Sequence, residues 1–194
     1  MLTQLSTVKA RLALTVTDYD DLLTNAIKAV SARFDSECNR RLPRTVGLTR
    51  EFAADDTEIS TPCYPIEAVT KFETKSNETD GWTEQTNVQF LVRRQCVISL
   101  ASPLYTLHSS LCIARIQYAG GYVLPGDTPS AGQTPLPADL EQAAVEQVAY
   151  WFRNRDTTGL VRSWPHGGTY QAFLQSDLLL EVRAVLKKYE RFAL

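Results

Sequence analysis

The 194-residue sequence is poor in the residues that most often carry catalysis. It has two histidines, His108 and His166, and each falls in an irregular stretch with no nucleophile or carboxylate partner close by in sequence. Because histidine is the usual proton carrier near neutral pH, we interpret both as surface residues. A small hydrolase or nuclease would need a convergent group of polar side chains, and we find no candidate for one. The sequence therefore predicts a protein that is not an enzyme.

The sequence also lacks the spacing typical of metal and redox sites. Its four cysteines are far apart and form no C-x-x-C pair, so we predict no zinc site, no disulfide and no cofactor. The acidic run at Asp18, Asp20 and Asp21 resembles part of a divalent-cation site. Its position at the start of a helix already explains it, because carboxylates interact favourably with the positive end of the helix dipole. The four cysteines that lack the spacing of a metal or redox site are Cys38, Cys63, Cys96 and Cys112.

Long apolar runs and a charge imbalance are absent too. No stretch approaches the roughly 20 apolar residues of a membrane span, and the N-terminus lacks the features of a signal peptide. We therefore expect a protein made in a cytoplasm, with no membrane association. The net charge of -2 and the pI near 5.7 disfavour a dedicated nucleic-acid-binding protein. Short basic groups, such as Arg93-Arg94, leave open a local contact with nucleic acid or with an acidic partner.

The pattern of the first 42 residues is helical. Ser6 is the expected N-cap of a short first helix, and Thr17 that of a longer second one. In the second helix, apolar residues recur at spacings of three and four and predict a core face. These residues are Leu23, Ile27, Val30, Phe34 and Cys38.

From about 45 to 119 the texture changes to β, which predicts an antiparallel insertion between helices. The polar Arg93-Arg94-Gln95 between two apolar runs indicates a hairpin. The last strand, "LCIARIQYAGG", places Cys112, Ala114, Ile116 and Tyr118 on one face.

Helical patterns return after a loop at 120–136. Pro137 suits the first turn of a helix that carries Leu140, Ala144, Val148 and Trp151 at helical spacing. An irregular aromatic segment follows, and then a strongly amphipathic terminal helix capped by Ser176 or Asp177. We therefore predict an α+β protein in which a small helical bundle, 1–157, contains the β insertion, and 158–194 forms an aromatic loop with a C-terminal helix arm.

The terminal segment has two interpretations that the residues leave open. Its aromatic and apolar side chains can close over the core, or they can form an adhesive arm for a neighbouring subunit, because exposed apolar patches mark interfaces. The candidate portal or subunit interface residues are Trp164, Tyr170, Phe173, Leu178, Val182, Leu186 and Tyr189.

The order of these parts resembles the head-tail connector, or adaptor, proteins of tailed bacteriophages. The most specific motifs are the strand end "ARIQYAGGY", the helix "LPADLEQAAVEQVAYWFRNRD" and the closing run "DLLLEVRAVLKKYERF". The resemblance covers nearly the whole chain. The longer β region and the loop "GLVRSWPHGGTYQAF" depart from many members of that family.

The resemblance implies a structural protein of the virion neck, assembled in the host bacterial cytoplasm. It implies a ring, typically of about twelve copies, that docks beneath the portal protein and offers its other side to a stopper or tail-completion protein. Double-stranded DNA would pass through the ring without specific binding, and a near-neutral charge suits such a channel. The alternative is another phage tail or regulatory interaction module, which would share the interface features but not the ring.

Overall fold

The computed structural model describes residues 1–53, 56–77, 79–86, 88–100, 113–155 and 177–191. The chain divides into two compact units. The helical unit contains Met1–Cys38 and the described residues from Leu136 onward, and the β unit spans Asn39–Pro135. Helices thus flank antiparallel sheets in the chain, which confirms the predicted α+β class. The compact β unit is larger than the predicted insertion at 45–119.

Four helices form the described part of the helical unit. They are α1 (Leu5–Leu12), α2 (Asp20–Glu37), α3 (Ala138–Arg153) and α4 (Leu180–Lys187). The predicted stripe of α2 is confirmed, since its five apolar side chains are at most 1% exposed. In α3, Leu140, Ala144 and Val148 are buried as predicted, whereas Trp151 is half-buried and its neighbour Phe152 is 9% exposed.

The helix starts differ from the predicted caps. Gln4 and Tyr19 occupy the N-cap positions of α1 and α2 instead of Ser6 and Thr17, and neither forms a side-chain cap. At α2 the positive end of the helix dipole meets the carboxylates of Asp20 and Asp21 instead. Propensity places a cap within a few residues, and tertiary contacts fix where the helix begins.

The described part of the β unit contains three sheets. The strands are β1 (Thr45–Ala53), β2 (Glu58–Ser60), β3 (Ile66–Lys75), β4 (Thr83–Glu84), β5 (Phe90–Arg93), β6 (Val97–Leu100), β7 (Ile113–Gly120), β8 (Tyr122–Val123) and β9 (Thr134–Pro135). The largest sheet has the antiparallel order β1-β7-β3-β4, and the second has the antiparallel order β2-β6-β5. The short β8 and β9 pair in parallel.

Alternation along these strands builds the core of the β unit. Ala114, Ile116 and Tyr118 of β7 are fully buried, as their spacing predicts. They join a cluster contributed by loops and by strands of both antiparallel sheets. Its other members are Ile59, Cys63, Ile66, Phe72, Ile98 and Leu100.

The predicted hairpin between β5 and β6 is confirmed. Its central residues Arg94 and Gln95 have φ values of 48° and 58°, and the Cys96 amide donates to the Arg93 carbonyl at 3.1 Å. Two successive residues in the left-handed region define a type I′ turn, whose twist matches that of the flanking strands.

The glycine pair after β7 lets three backbone segments meet. A Cβ at Gly120 would lie 2.7 Å from the carbonyl oxygen of Cys63, and one at Gly121 would lie 2.5 Å from that of Pro43. Gly121 has a φ of +100°, and its amide donates to the Pro65 carbonyl at 2.9 Å. Only glycine meets both the conformational and the spatial requirement at this position.

None of the helices within the described ranges is long and apolar enough to cross a membrane.

We predict that alanine at Gly121 destabilises the protein much more than alanine at two other glycines. Gly132 has a φ of +85° but open space around its Cβ position, so Gly132→Ala tests backbone strain alone. Gly81 has neither constraint, so Gly81→Ala is the neutral control. We expect a loss of about 1 kcal/mol for Gly132→Ala and of about 3 kcal/mol or more for Gly121→Ala. Urea unfolding of the three variants checks the order, and equal losses at Gly121 and Gly132 would contradict it.

Candidate interaction surfaces

The structure places the predicted interface residues of the terminal segment in different situations. Leu178, Val182 and Leu186 are buried in the helical unit, with exposed fractions of 1%, 2% and 3%. Tyr189 is half-buried, and its hydroxyl donates to Oδ1 of Asp139 at 2.7 Å. These apolar side chains therefore hold α4 in the unit, and their role at a portal interface stays a prediction. Trp164, Tyr170 and Phe173 lie outside the described residues.

Polar contacts also fix the start of α4. The Leu179 amide donates to Oε1 of Gln147, a fully buried side chain of α3, at 2.9 Å. Asp177 accepts a hydrogen bond from the Leu178 amide and pairs with Arg183 and Arg33. The Leu178 amide first, and then these guanidinium groups, lower the pKa of Asp177. Leu179 occupies the N-cap position of α4 and forms no side-chain cap, so the predicted cap at Asp177 is wrong, and Asp177 binds only the backbone before the helix. Ser176 lies outside the described residues.

The large apolar residue at the start of α4 is left out of this packing. Leu180, in the first turn, is 75% exposed. The helical spacing of apolar residues did not predict this exposure. Leu178 and Leu179 precede Leu180, and three adjacent leucines do not indicate which of them faces the core. The exposure of Leu180 makes it the apolar side chain of α4 that is free to contact a partner.

A shallow groove runs along α3 and α4. Its floor is apolar, with Ala143, Val182 and Val185, and its rim carries carboxylates and an amide. The groove has a volume of about 210 Å³, below the roughly 300–1,000 Å³ of small-molecule sites. It therefore suits an inserted side chain better than a metabolite. The rim residues are Asp139, Gln142, Glu146 and Glu181.

The rim carboxylates differ in how far they are already neutralised. Glu146 binds Arg11 through two hydrogen bonds of 2.9 and 3.0 Å, which lower its pKa. Asp139 accepts from Tyr189 and lies 3.8 Å from Nζ of Lys188. Glu181 makes no ion pair with any residue that the structure describes. One negative charge of the groove is therefore uncompensated within these ranges.

A second surface is the outer strand of the sheet β2-β6-β5. Phe90, Leu91 and Val92 are 36%, 64% and 41% exposed, although all three are apolar. We call residues 90–94 the β5 ridge, because the strand and the exposed turn residue Arg94 are continuous. Within the described ranges β5 pairs with β6 alone, so among these strands it lies at the edge of its sheet. Alternation predicted the strand, but not that it lies at an edge.

A charged ladder crosses the largest sheet of the β unit. Glu73 of β3 accepts from Nε and Nη2 of Arg115 on β7 at 2.9 and 2.7 Å. Lys71 lies 3.4 Å from Glu73 and 3.3 Å from Glu84. The Arg115 guanidinium also stacks on the Trp82 ring, 4.2 Å from its centre. The hydrogen bonds that Arg115 donates to Glu73 are the largest cause of the lowered pKa of Glu73.

Three arginines from the short basic groups Arg40-Arg41-Arg44 and Arg153-Arg155 have structural partners. Arg40 is 5% exposed and stacks on the Tyr64 ring, 3.3 Å from its centre. Arg44 binds Glu67 at 2.7 Å, which lowers the pKa of Glu67. Arg155 stacks on Phe152 at 4.3 Å. The guanidinium groups of these three arginines are therefore already engaged within the chain.

The described residues contain no group of three or more metal-ligating side chains. Cys38 and Cys63 are buried and Cys96 is half-buried, and none of the three joins a disulfide with another described residue. His108, His166 and Cys112 lie outside the described ranges.

Full-length similarity to solved structures places this architecture among known folds. The chain shares its fold with chains of gene transfer agent particles. A chain in the neck of the empty particle, computed with C6 symmetry, matches with a TM-score of 0.56 and 15% identity over 98% of this chain and 90% of its own length. A chain in the virion of the native particle matches with a TM-score of 0.59 and 13% identity, over 98% and 90%.

A third match is to a chain in the neck of the native particle, computed with C12 symmetry. Its TM-score is 0.54 at 13% identity, over 98% of this chain and 89% of that one. No protein-family model and no curated protein matches the sequence. The similarity therefore lies in the fold.

We predict that the charged ladder contributes stability that acid removes. The pKa of Glu73 is lowered in the folded protein, so its contribution is present above the unfolded value near 4.5 and is lost as the pH falls through the folded value. Glu73→Gln should lower the free energy of unfolding by about 1–2 kcal/mol at pH 7. The difference from wild type should shrink as the pH is lowered from 4.5 through the folded-state pKa of Glu73.

The matched control is Glu84→Gln, because Glu84 is 51% exposed and contacts Lys71 only at the surface. We expect almost no change there, as for most exposed ion pairs. Urea unfolding at several pH values measures both variants. A Glu73→Gln defect that is independent of pH would rule out the ion pair as its cause.

Proposed function

We propose that this protein is a structural component of the virion neck of a tailed phage or phage-like particle, a head-tail connector. The observation that carries the proposal is the fold match over 98% of the chain to chains of neck structures. The sequence motifs at the strand end and in the last two helices support it independently.

We further propose that the protein acts as a ring of about twelve copies beneath the portal protein. The matched neck structures were computed with C6 and C12 symmetry, which is compatible with such a ring. The other side of the ring would contact a stopper or tail-completion protein. Double-stranded DNA would pass through the centre, and a net charge of -2 would not retain its phosphates.

The terminal segment is the proposed portal-docking arm, and Leu180 is its most accessible described apolar side chain. A triple replacement of Leu178, Val182 and Leu186 by serine cannot test docking, because three buried side chains would be lost from the helical unit. Large-to-small changes at such positions cost about 2–5 kcal/mol each, so that variant should unfold.

The ring proposal predicts assembly on the cognate portal and weak association without it. Electron microscopy of the protein mixed with its portal should show rings attached to one portal face. Native mass spectrometry of the free protein should show mainly monomer, since a ring that needs a template is not stable alone. Absence of any portal-bound density with wild-type protein would overturn the proposed function. A tight closed ring without portal would overturn only the template requirement.

The docking role of α4 predicts a specific effect of Leu180→Asp. This variant should keep its circular dichroism spectrum and thermal transition, because the side chain is 75% exposed. Its retention on immobilised portal should fall about tenfold or more, as expected for loss of one apolar interface anchor. Leu22→Asp is the matched control, since Leu22 of α2 is also an exposed leucine at 47%. Equal retention of both variants and wild type would place the portal contact elsewhere.

A further inference from the structure

A closed ring of identical chains repeats one head-to-tail contact, so each copy must present two different surfaces that fit each other. Resting on the proposed ring, we propose that the β5 ridge of one copy docks into the α3–α4 groove of the next copy. Leu91 lies on the apolar floor of the groove, and Arg94 pairs with Glu181 of the neighbouring copy.

The ridge has the composition of an interface that the single chain leaves uncovered. Leu91 of β5 lies opposite Ser99 of β6, and Ser99 lies opposite Glu58 of β2. Residues that lie opposite each other share a face of the sheet, so Leu91 is on the same face as the exposed carboxylate of Glu58. Native proteins usually protect such edges with charge or short length. Here three consecutive apolar residues are exposed, which marks a surface for association.

The groove offers the complementary chemistry. Its floor of Ala143, Val182 and Val185 accepts an aliphatic side chain, and its volume of about 210 Å³ admits the tip of a strand rather than a helix. The acidic rim favours a partner that brings a cation beside its apolar residue. Leu91 and Arg94 are separated by two residues at a hairpin tip and supply this combination.

The remaining charges on the two surfaces match one to one. On the ridge, Arg93 already pairs with Glu58 at 3.0 Å, whereas Arg94 makes no ion pair within the described ranges. On the groove, Arg11 and Lys188 lie beside Glu146 and Asp139, whereas Glu181 has no such partner among the residues described. One cation and one carboxylate are thus left, on different surfaces, and a contact between copies would bring opposite charges together. Such pairing fixes the register of an interface and excludes wrong partners.

The test is a charge exchange between two variants, with ring formation on the cognate portal as the measurement. Arg94→Glu and Glu181→Arg should each reduce ring occupancy at least about tenfold, because every contact in the ring then joins like charges. An equimolar mixture should restore rings in which the two variants alternate. In that arrangement each ridge again meets a groove of opposite charge. Native mass spectrometry of the portal-bound rings would count the two variants.

Two controls separate this contact from other effects. Leu91→Asp should also prevent assembly, and mixing it with Arg94→Glu should restore nothing, because both variants lack a functional ridge. Thermal unfolding is compared throughout, since Glu181 lies in the first turn of α4 where a carboxylate favours the helix. If Glu181→Arg fails to fold, the neutral Glu181→Gln replaces it, and mixing it with Arg94→Glu should restore part of the ring occupancy that Arg94→Glu loses alone.

The outcomes distinguish this contact from the ring itself. Rings of wild-type protein together with a mixture that fails to assemble would overturn the Arg94–Glu181 contact and leave the proposed function intact. Normal assembly of both single variants would do the same, and would assign the groove to a basic segment of another virion protein. A wild-type protein that forms no ring on its portal would overturn the proposed function and this contact together.

Discussion

The close approach of three backbone segments at the glycine pair is the constraint on which the β unit depends. Gly120 and Gly121 let the end of β7 lie against the carbonyl groups of Pro43 and Cys63, where a single methyl group would collide. Around this point the Tyr122 amide donates to the Leu42 carbonyl, and the Arg44 amide donates to the Tyr122 carbonyl. The entry and exit of the β unit are thereby joined by backbone hydrogen bonds. The Gly-Gly motif resembles the start of a loop in the sequence, but the packing of the backbone requires it.

The sequence predicted the elements whose side chains alternate or recur regularly. The stripe of α2, the buried face of β7 and the β5–β6 hairpin are all present where their patterns indicated, because burial of one face imposes that periodicity. The caps at Ser6 and Thr17 were wrong, because the start of a helix depends on contacts that propensity does not contain. Helical spacing predicted that Trp151 is the buried aromatic residue of α3, whereas the structure buries its neighbour Phe152. The small residues along α3 do little to fix which side of the helix faces the core.

The candidate surfaces were harder to predict, and for a physical reason. Exposure of an apolar residue is a property of its surroundings, so Leu180 and Leu91 resemble core residues when only their neighbours in sequence are known. Conversely, Leu178, Val182 and Leu186 have the amphipathic spacing of an adhesive arm, yet they are buried within the helical unit. The groove needs α3 and α4 side by side, although 26 residues separate Arg153 from Leu180 in the chain. Local patterns therefore gave the elements, and only the fold gave the surfaces.

The helical unit is assembled from the two ends of the chain, whereas the β unit is one continuous segment. During synthesis from the N-terminus, residues 39–135 emerge together, and their contacts can form before the rest of the chain exists. The helices α1 and α2 must wait for α3 and α4, and Gln147 can bind the Leu179 amide only after residue 179 has been synthesised. Until then the apolar face of α2 lacks its partners. A layout of this kind completes its groove only after α4 has been synthesised, which delays the exposure of that groove to other copies.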